Sequence, residues 1–370
     1  MTNLNTLVPQ SGQSINFESL SNLLGPLHQS MKDTPQSPIH HQEGDVWTHT
    51  CMVLKEILQE PEWKHLTPDE KFVLFWAAVF HDSGKPARTI VEDGHITSPG
   101  HSRTGAHIAR AWLGKRDIPF HLREQICAII LHHQKPFWVF ERDDATEQAL
   151  NIRLTTPIKL LMMHARADAR GRICADQTDM LERVELSGIV FEDVRPLGSP
   201  LQDGIIRMAV LQQKRWAYDP TITPPKGSNV VVACGLPGAG KDTWLETHFP
   251  KLPMVSPDKW RRELGLKRKK DGLAIQKTKE EAKAFLRDKE DFCWNATHLS
   301  QNLRAQTIDL LLQYDAHVTL VWIEPKWNTW RLQNQNRTHA LPNTALDKMY
   351  GFFEPPTLNE AHEVQYIVEN

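Results

Sequence analysis

The chain has 370 residues, 40% of them apolar and 24% charged, with a formal net charge of −2. That composition excludes fibrous and globally disordered classes and accommodates about two domains at roughly 150 residues each. No stretch approaches the ~20 apolar residues of a membrane helix. A near-neutral charge means that any nucleic-acid partner must be met by a local basic patch. The five cysteines, Cys51, Cys127, Cys174, Cys234 and Cys293, are scattered and form no C-x-x-C pair. They argue against a disulfide framework or zinc ribbon and for thiols in a reducing cytoplasm.

Residues 1–16 lack the basic and apolar regions of a secretory signal and read as a polar tail. From 17 to 216 apolar residues recur at three and four spacing, as in WTHTCMVLKEIL (47–58), KFVLFWAAVFH (71–81), HLREQICAIILHH (121–133) and IKLLMMHARADA (158–169). That period predicts an all-α domain of amphipathic helices, with no run of period two. Thirteen of the 18 histidines precede residue 165, which points to a metal site in this half. The candidate ligands lie at or near the ends of separate predicted helices. They are EGDVWTHT with His49, FHDSGKP with His81 and Asp82, Gly100-His101, His132-His133, and ADARGR (167–172) with Asp168. Imidazoles and carboxylates hold divalent Mn, Fe, Co, Ni or Zn without choosing among them.

AYDPTITPPKGS (217–228) carries three prolines and a glycine and reads as a linker. The pattern then changes to an α/β domain over 229–370. Strands are predicted at 229–235, 251–256, 291–297, 316–324 and 363–369, with helices at 241–249, 298–313 and 325–337, an alternation that implies a parallel sheet. Between the first strand and its helix stands Gly235-Leu-Pro237-Gly238-Ala239-Gly240-Lys241. The G-x-x-x-x-G-K spacing turns backbone N–H groups around phosphate oxygens, with Lys241 reaching the β- and γ-phosphates of a nucleoside triphosphate. Asp242 and Thr243 follow, where Ser or Thr usually provides a magnesium ligand; the Asp242 carboxylate is itself a hard oxygen donor for Mg2+.

Asp258, in Ser256-Pro-Asp258-Lys-Trp-Arg261, follows the second predicted strand beside the P-loop, placed to take a proton from an attacking hydroxyl. Arg261 is one turn on and can reach an acceptor's phosphate. Lys259, Arg261, Arg262 and Lys267–Lys270 put seven basic residues in twelve positions, the local patch that a nucleic acid requires.

GLPGAGKDTW followed by PDKWR resembles the 5′-OH polynucleotide kinase family. The resemblance implies that Asp258 is the general base and Arg261 the ligand of the acceptor's 3′ phosphate. It also implies that Asn295-Ala-Thr297 with Arg304, and the lid Arg331–Arg337, contact the nucleotide, Arg337 being the better lid match. The series H…HD…H…H…D resembles the HD phosphohydrolase superfamily. It implies His49, His81, Asp82 and Asp168 as common metal ligands. His101 and His133 would hold a second ion, with His132 as the alternative to His133, and Asp82 would bridge. Lys85, with Arg103 or Arg170 as further options, would bind the substrate phosphate.

The two halves together resemble the bacterial HD–polynucleotide kinase family of RNA end-healing enzymes over about 17–345. That likeness implies a cytoplasmic bifunctional enzyme. One domain phosphorylates 5′-OH ends with ATP or GTP and Mg2+; the other removes 2′,3′-cyclic and 3′-phosphate ends with one or two transition-metal ions. Its partner would be broken nucleic acid, RNA rather than DNA, with a separate ligase completing repair and no membrane involved. Two other readings fit the residues: a nucleotidase or cyclic-nucleotide phosphodiesterase fused to a small-metabolite kinase, and a non-catalytic nucleotide-sensing regulator.

Overall fold

The computed structural model describes residues 4–213, 215–266, 271–337 and 340–369. Two compact units divide the chain at Gly198 and Ser199, upstream of the 217–228 segment that the sequence marks as a linker. Among the described residues all five cysteines are free, and no helix is long and apolar enough to cross a membrane.

The N-terminal unit is built from helices α1 (Phe17–Leu24), α2 (Pro26–Lys32), α3 (Val46–Gln59), α4 (Pro68–Phe80), α5 (His101–Gly114), α6 (Phe120–His132), α7 (Ala145–Thr155), α8 (Ile158–Arg170) and α9 (Gln177–Asp193). Helix α4 is the axis. Thr67 and Glu70 form a capping box with Pro68 at the first turn, the start signal expected of such a segment. Every residue from Lys71 to Phe80 is buried, as an all-round apolar helix must be. Its C-terminus delivers His81 and Asp82 into the centre of the unit. Helix α3 starts at an Asp45 cap, which accepts the Thr48 amide at 2.9 Å, and carries His49 on its buried face. Gly84 is obligatory in the loop after Asp82. A Cβ there would lie 2.1 Å from the His101 carbonyl oxygen and 2.6 Å from the Gly105 nitrogen, so only glycine lets α5 approach this closely.

Two features depart from the sequence expectation. Strands β1 (Ile90–Glu92) and β2 (His95–Thr97) form a small antiparallel hairpin in the otherwise helical unit. Its Asp93-Gly94 turn, with φ of 48° and 78°, is the dipeptide that favours such a hairpin, but three residues per strand are too few to show alternation. In the segment expected to be a polar tail, Leu4–Leu7 forms a 3-10 turn, and Leu4, Val8 and Pro9 are buried.

The C-terminal unit begins with α10 (Gly204–Gln213). Arg207 binds it to this unit by donating to the carbonyls of Leu358 at 2.7 Å and His362 at 2.8 Å. Strands β3 (Asn229–Cys234), β4 (Met254–Val255), β5 (Phe292–Asn295), β6 (His317–Glu324) and β7 (Glu363–Val368) form a parallel sheet in the order β4-β5-β3-β6-β7. All five lie within the predicted strand ranges. Helices α11 (Lys241–His248), α12 (Pro257–Glu263), α13 (Asp271–Asp288), α14 (Gln301–Leu312), α15 (Trp327–Gln335) and α16 (Asn343–Tyr350) complete it.

Val230 and Val232 of β3, Phe292 and Trp294 of β5 and Leu320 of β6 form one core with Ala282 and Leu286 of α13 and Ile308 and Leu311 of α14. Helix α13 was not expected. Its buried stripe is Ala274, Thr278, Ala282 and Leu286, too small and polar to stand out among the charges around it. The β3–α11 and β4–α12 loops open at the carboxyl ends of the strands, where ligands bind in open parallel sheets.

Candidate functional site

In the N-terminal unit six predicted ligands converge. His49, His81, Asp82, His101, His133 and Asp168 come from α3, the end of α4, α5, the end of α6 and α8, and each is no more than 4% exposed. Asp82 stands between them. Its Oδ2 is 3.3 Å from His81 Nε2 and 3.9 Å from His49 Nε2; its Oδ1 is 3.3 Å from His101 Nε2 and 3.8 Å from His133 Nε2. His49 Nε2 also lies 3.1 Å from Asp168 Oδ1. Two donor groups thus share one carboxylate: His49, His81 and Asp82, and Asp82, His101 and His133.

The outer nitrogens explain why every Nε2 points inward. His81 Nδ1 faces the Ala78 carbonyl at 2.8 Å, His101 Nδ1 that of Ser98 at 2.8 Å, and His133 Nδ1 that of Ile130 at 2.7 Å. A carbonyl accepts only N–H, so each ring keeps its Nε2 lone pair for a cation, the usual arrangement behind metal-bound histidine. His49 Nδ1 meets the Glu43 carboxylate at 2.9 Å as well as the Gly171 carbonyl at 3.2 Å. Glu43 also accepts His41 Nδ1 at 2.7 Å and the Ile173 amide at 2.9 Å, so one buried carboxylate fixes the His49 ring. Glu43→Gln is expected to weaken divalent-metal affinity roughly 10- to 100-fold, read by titration calorimetry with Mn2+ or Ni2+. Unchanged affinity would show that Glu43 does not orient His49.

The donor set fits a divalent cation. His81 Nε2 and Asp82 Oδ1 are buried without a hydrogen-bond partner among the described residues, a costly state unless a cation satisfies them. Burial pushes the Asp82 and Asp168 carboxyls up. Lys85 and His81 around Asp82, and Arg172 and His49 around Asp168, outweigh it and hold both well below the usual range, in the ionised form a metal requires.

A cleft of about 440 Å3 opens on this cluster, lined by Gln36, His41, Lys85, His101 and Arg172 among others. Lys85 Nζ, in the cleft wall, is 2.7 Å from Asp82 Oδ2. Arg170, a sequence candidate for phosphate binding, instead pairs with Glu60, which also holds Arg166 at 2.7 Å. Arg172 is the cleft arginine in its place, gripping Asp168 with two 3.0 Å bonds. Arg103 is not among the residues lining the cleft. His132 is not among the converging donors. Sequence reasoning missed His164, one turn before Asp168 on α8. Its buried ring stands edge-on to His81 at 5.1 Å, neither nitrogen has a hydrogen-bond partner among the described residues, and burial pushes its pKa down to about 3.

In the C-terminal unit Gly235–Lys241 wraps the end of β3. Gly235, Gly238 and Gly240 all take positive φ, which glycine alone adopts freely. Trp330 Nε1 on α15 pins the loop by donating to the Pro237 carbonyl at 2.8 Å, and Ala239 is buried beneath it. Lys241 Nζ donates to the Gly235 and Leu236 carbonyls at 3.1 and 2.9 Å, and burial pushes its pKa down to about 8. The Arg337 guanidinium lies over Gly238, with NH1 3.1 Å from where a Cβ would stand. Asp242 and Thr243 are exposed on the first turn of α11. Asn295, ending β5, donates to Asp242 Oδ1 at 2.7 Å.

Asp258 and Arg261 form an ion pair on α12. Both line a cavity of about 270 Å3 with Asn295, Ala296 and Thr297. The Thr297 carbonyl accepts the Gly235 amide at 3.0 Å, so the β5 terminus joins this cavity to the P-loop. Of the basic patch, Lys259 pairs with Glu281 at 2.6 Å, while Lys267–Lys270 lie outside the described residues.

Arg304 departs from its expected role as a nucleotide contact. It is 1% exposed and grips Glu360 at 2.6 and 2.9 Å while donating to the His298 and Glu354 carbonyls. The geometry is that of a structural clamp. Arg304→Met should cost about 3 kcal/mol of stability by stranding a buried Glu360, measured by denaturant unfolding, with nucleotide affinity unchanged. Affinity lost at full stability would restore the nucleotide role.

Comparison with known proteins agrees with this division. Residues 46–168 match a family model described as HD domain, and residues 230–356 one described as AAA domain. No curated protein matches the chain. Among solved structures, one described as a candidate kinase from Chloroflexus aurantiacus J-10-fl is 15% identical, with a TM-score of 0.33 over 38% of this chain and 85% of that one. At that score the likeness bears on neither substrate nor activity.

Proposed function

From an HD phosphohydrolase domain and a P-loop kinase-like domain joined in one chain, we propose a bifunctional nucleic-acid end-healing enzyme of the HD–polynucleotide kinase type. The C-terminal domain phosphorylates 5′-OH ends. The N-terminal domain opens 2′,3′-cyclic phosphates and removes the resulting phosphate. The products, a 5′-phosphate and a 3′-OH, are what a separate ligase joins, and broken RNA is the preferred substrate. One observation carries the reading. The carboxylate–arginine pair Asp258–Arg261 lines a cavity whose β5 wall is hydrogen-bonded to the P-loop, so a hydroxyl acceptor has a base and a phosphate anchor beside a triphosphate cradle.

In the kinase reaction Asp258 takes the proton of the 5′-OH as its oxygen bonds to the γ-phosphorus and the nucleoside diphosphate leaves. Arg261 orients the acceptor through its neighbouring phosphate. P-loop amides and Lys241 hold the β- and γ-phosphates, and Arg337 meets the charge that develops on them. Asp242 and Thr243 stand where Mg2+ would be held; that ion supplies charge neutralisation on the triphosphate.

In the hydrolytic reaction His49, His81 and Asp168 with Asp82 would hold one cation, and His101 and His133 with Asp82 a second. Such ions supply Lewis acidity toward a phosphoryl oxygen and lower the pKa of water. Lys85 and Arg172 line the cleft as cationic partners for phosphate oxygens. Asp82 and Asp168 keep the donor set anionic, and the carbonyls behind His81, His101 and His133 keep the rings aimed.

Labelled NTP with a 5′-OH oligonucleotide, or with free nucleosides, tests the kinase half. Transfer to the oligonucleotide supports the proposal; transfer confined to nucleosides would replace it with a metabolite kinase. Tight nucleotide binding without turnover under Mn2+ or Ni2+ would indicate a regulator.

A further inference from the structure

His298 belongs to none of the roles assigned so far. It stands between β5 and α14 with φ of +41°, a left-handed conformation that a non-glycine residue keeps only when its surroundings fix it. They do. Its carbonyl accepts Arg304 NH1 at 3.0 Å, and Arg304 is itself locked by Glu360. Its Nε2 lies 3.0 Å from Thr307 Oγ1 on α14. The other ring nitrogen, Nδ1, is buried and has no hydrogen-bond partner among the described residues. The residue lines the cavity that contains Asp258 and Arg261.

Hydrogen-bond accounting couples the tautomer to whatever Nδ1 meets. Thr307 is 4% exposed, and the ring is the only hydrogen-bond partner of its hydroxyl among the described residues. If Nε2 donated, both the hydroxyl proton and the Nδ1 lone pair would be stranded. If the hydroxyl donates, the Nδ1–H and the hydroxyl oxygen's lone pairs are left over. The two arrangements strand equally many groups, so an acceptor at Nδ1 selects the second, with the proton on Nδ1. Burial, with Arg304 and Lys241 adding to it, pushes the ring's pKa down to about 4, so it is neutral near pH 7. The result is a fixed, neutral ring in the wall of that cavity, with a buried, unpartnered Nδ1 that can present an N–H to an acceptor.

We infer that His298 is an acceptor-binding residue whose Nδ1–H donates to a phosphate oxygen of the 5′-OH substrate, beside Asp258 and Arg261. The inference rests on the kinase reading of that cavity. The acceptor's phosphate is favoured over the NTP because no P-loop residue is among those lining the cavity.

The test is steady-state transfer from labelled NTP to a 5′-OH oligonucleotide by the full chain carrying His298→Gly or His298→Asn. Both substitutions tolerate positive φ, so neither adds backbone strain, and glycine removes the donor entirely. His298→Gly should raise KM for the oligonucleotide roughly 10- to 100-fold, the value of a hydrogen bond to a charged group, with kcat and KM for NTP within about twofold. His298→Asn, with a shorter N–H donor, should recover part of the loss, and it reads the same contrast if the glycine variant does not fold. An unchanged oligonucleotide KM in folded protein, or a rise confined to the NTP KM, overturns the inference while transfer by the unaltered chain upholds the kinase reading. No transfer to any oligonucleotide by the unaltered chain removes the reading and the inference together.

Discussion

Asp82→Ala should abolish phosphohydrolysis, by on the order of 10³-fold or more, and leave phosphate transfer from NTP intact. The effect is this large because Asp82 serves both donor groups. One oxygen faces His81 and His49, the other His101 and His133, so its removal deprives both of their shared anion. Lys85 loses its carboxylate as well and becomes a cation among four imidazoles. Metal content should fall along with activity. Asp82→Asn preserves shape without charge and should fail similarly, since the ionised form is what the site stabilises. Hydrolysis measured with Mn2+, Co2+ or Ni2+ added decides the matter, and metal-dependent turnover persisting in the alanine variant would refute the assignment of this cluster.

Asp258→Ala is expected to reduce transfer to a 5′-OH end by about 10²- to 10⁴-fold, the range for a positioned general base, with hydrolysis unchanged. Stability separates this from a structural defect. The Asp258 side chain is 66% exposed and its Arg261 partner 27%, and an exposed ion pair contributes about 1 kcal/mol or less. The variant should therefore unfold at nearly the wild-type denaturant concentration while losing turnover. Comparable losses in stability and kcat would place Asp258 in the scaffold instead.

Much of this was legible in the sequence because the groups involved have few substitutes. A soft–hard donor set for a transition metal needs imidazoles and carboxylates, so crowded histidines at helix ends announce themselves, and His49, His81, Asp82, His101, His133 and Asp168 do converge. A triphosphate cradle needs glycine at fixed spacing, and the β-branched run NVVVAC before it could only be a buried strand.

What stayed hidden depends on three-dimensional neighbours. Arg170 and Arg172 look equivalent on paper, but α8 ends at Arg170, and the two guanidiniums go to opposite partners, Glu60 and Asp168. The resemblance implied a nucleotide contact for Arg304, and its clamp partner Glu360, 56 residues away, gave no local sign of a structural role. Glu43 reads as one more surface carboxylate until the fold brings His41, His49 and the Ile173 amide onto it. His164 is hidden for the opposite reason: an apolar helical stripe absorbs a histidine without breaking its period.

The central claim is that two independent phosphate centres share this chain. The most direct measurement takes one oligonucleotide bearing a 5′-OH and a 2′,3′-cyclic phosphate. Both ends are analysed after incubation with NTP, Mg2+ and a transition metal, using the unaltered chain, Asp82→Ala and Asp258→Ala. The unaltered chain should convert both ends, Asp82→Ala only the 5′ end, and Asp258→Ala only the 3′ end. Loss of both conversions in either variant with its fold intact, or conversion of neither end by the unaltered chain, would contradict that claim.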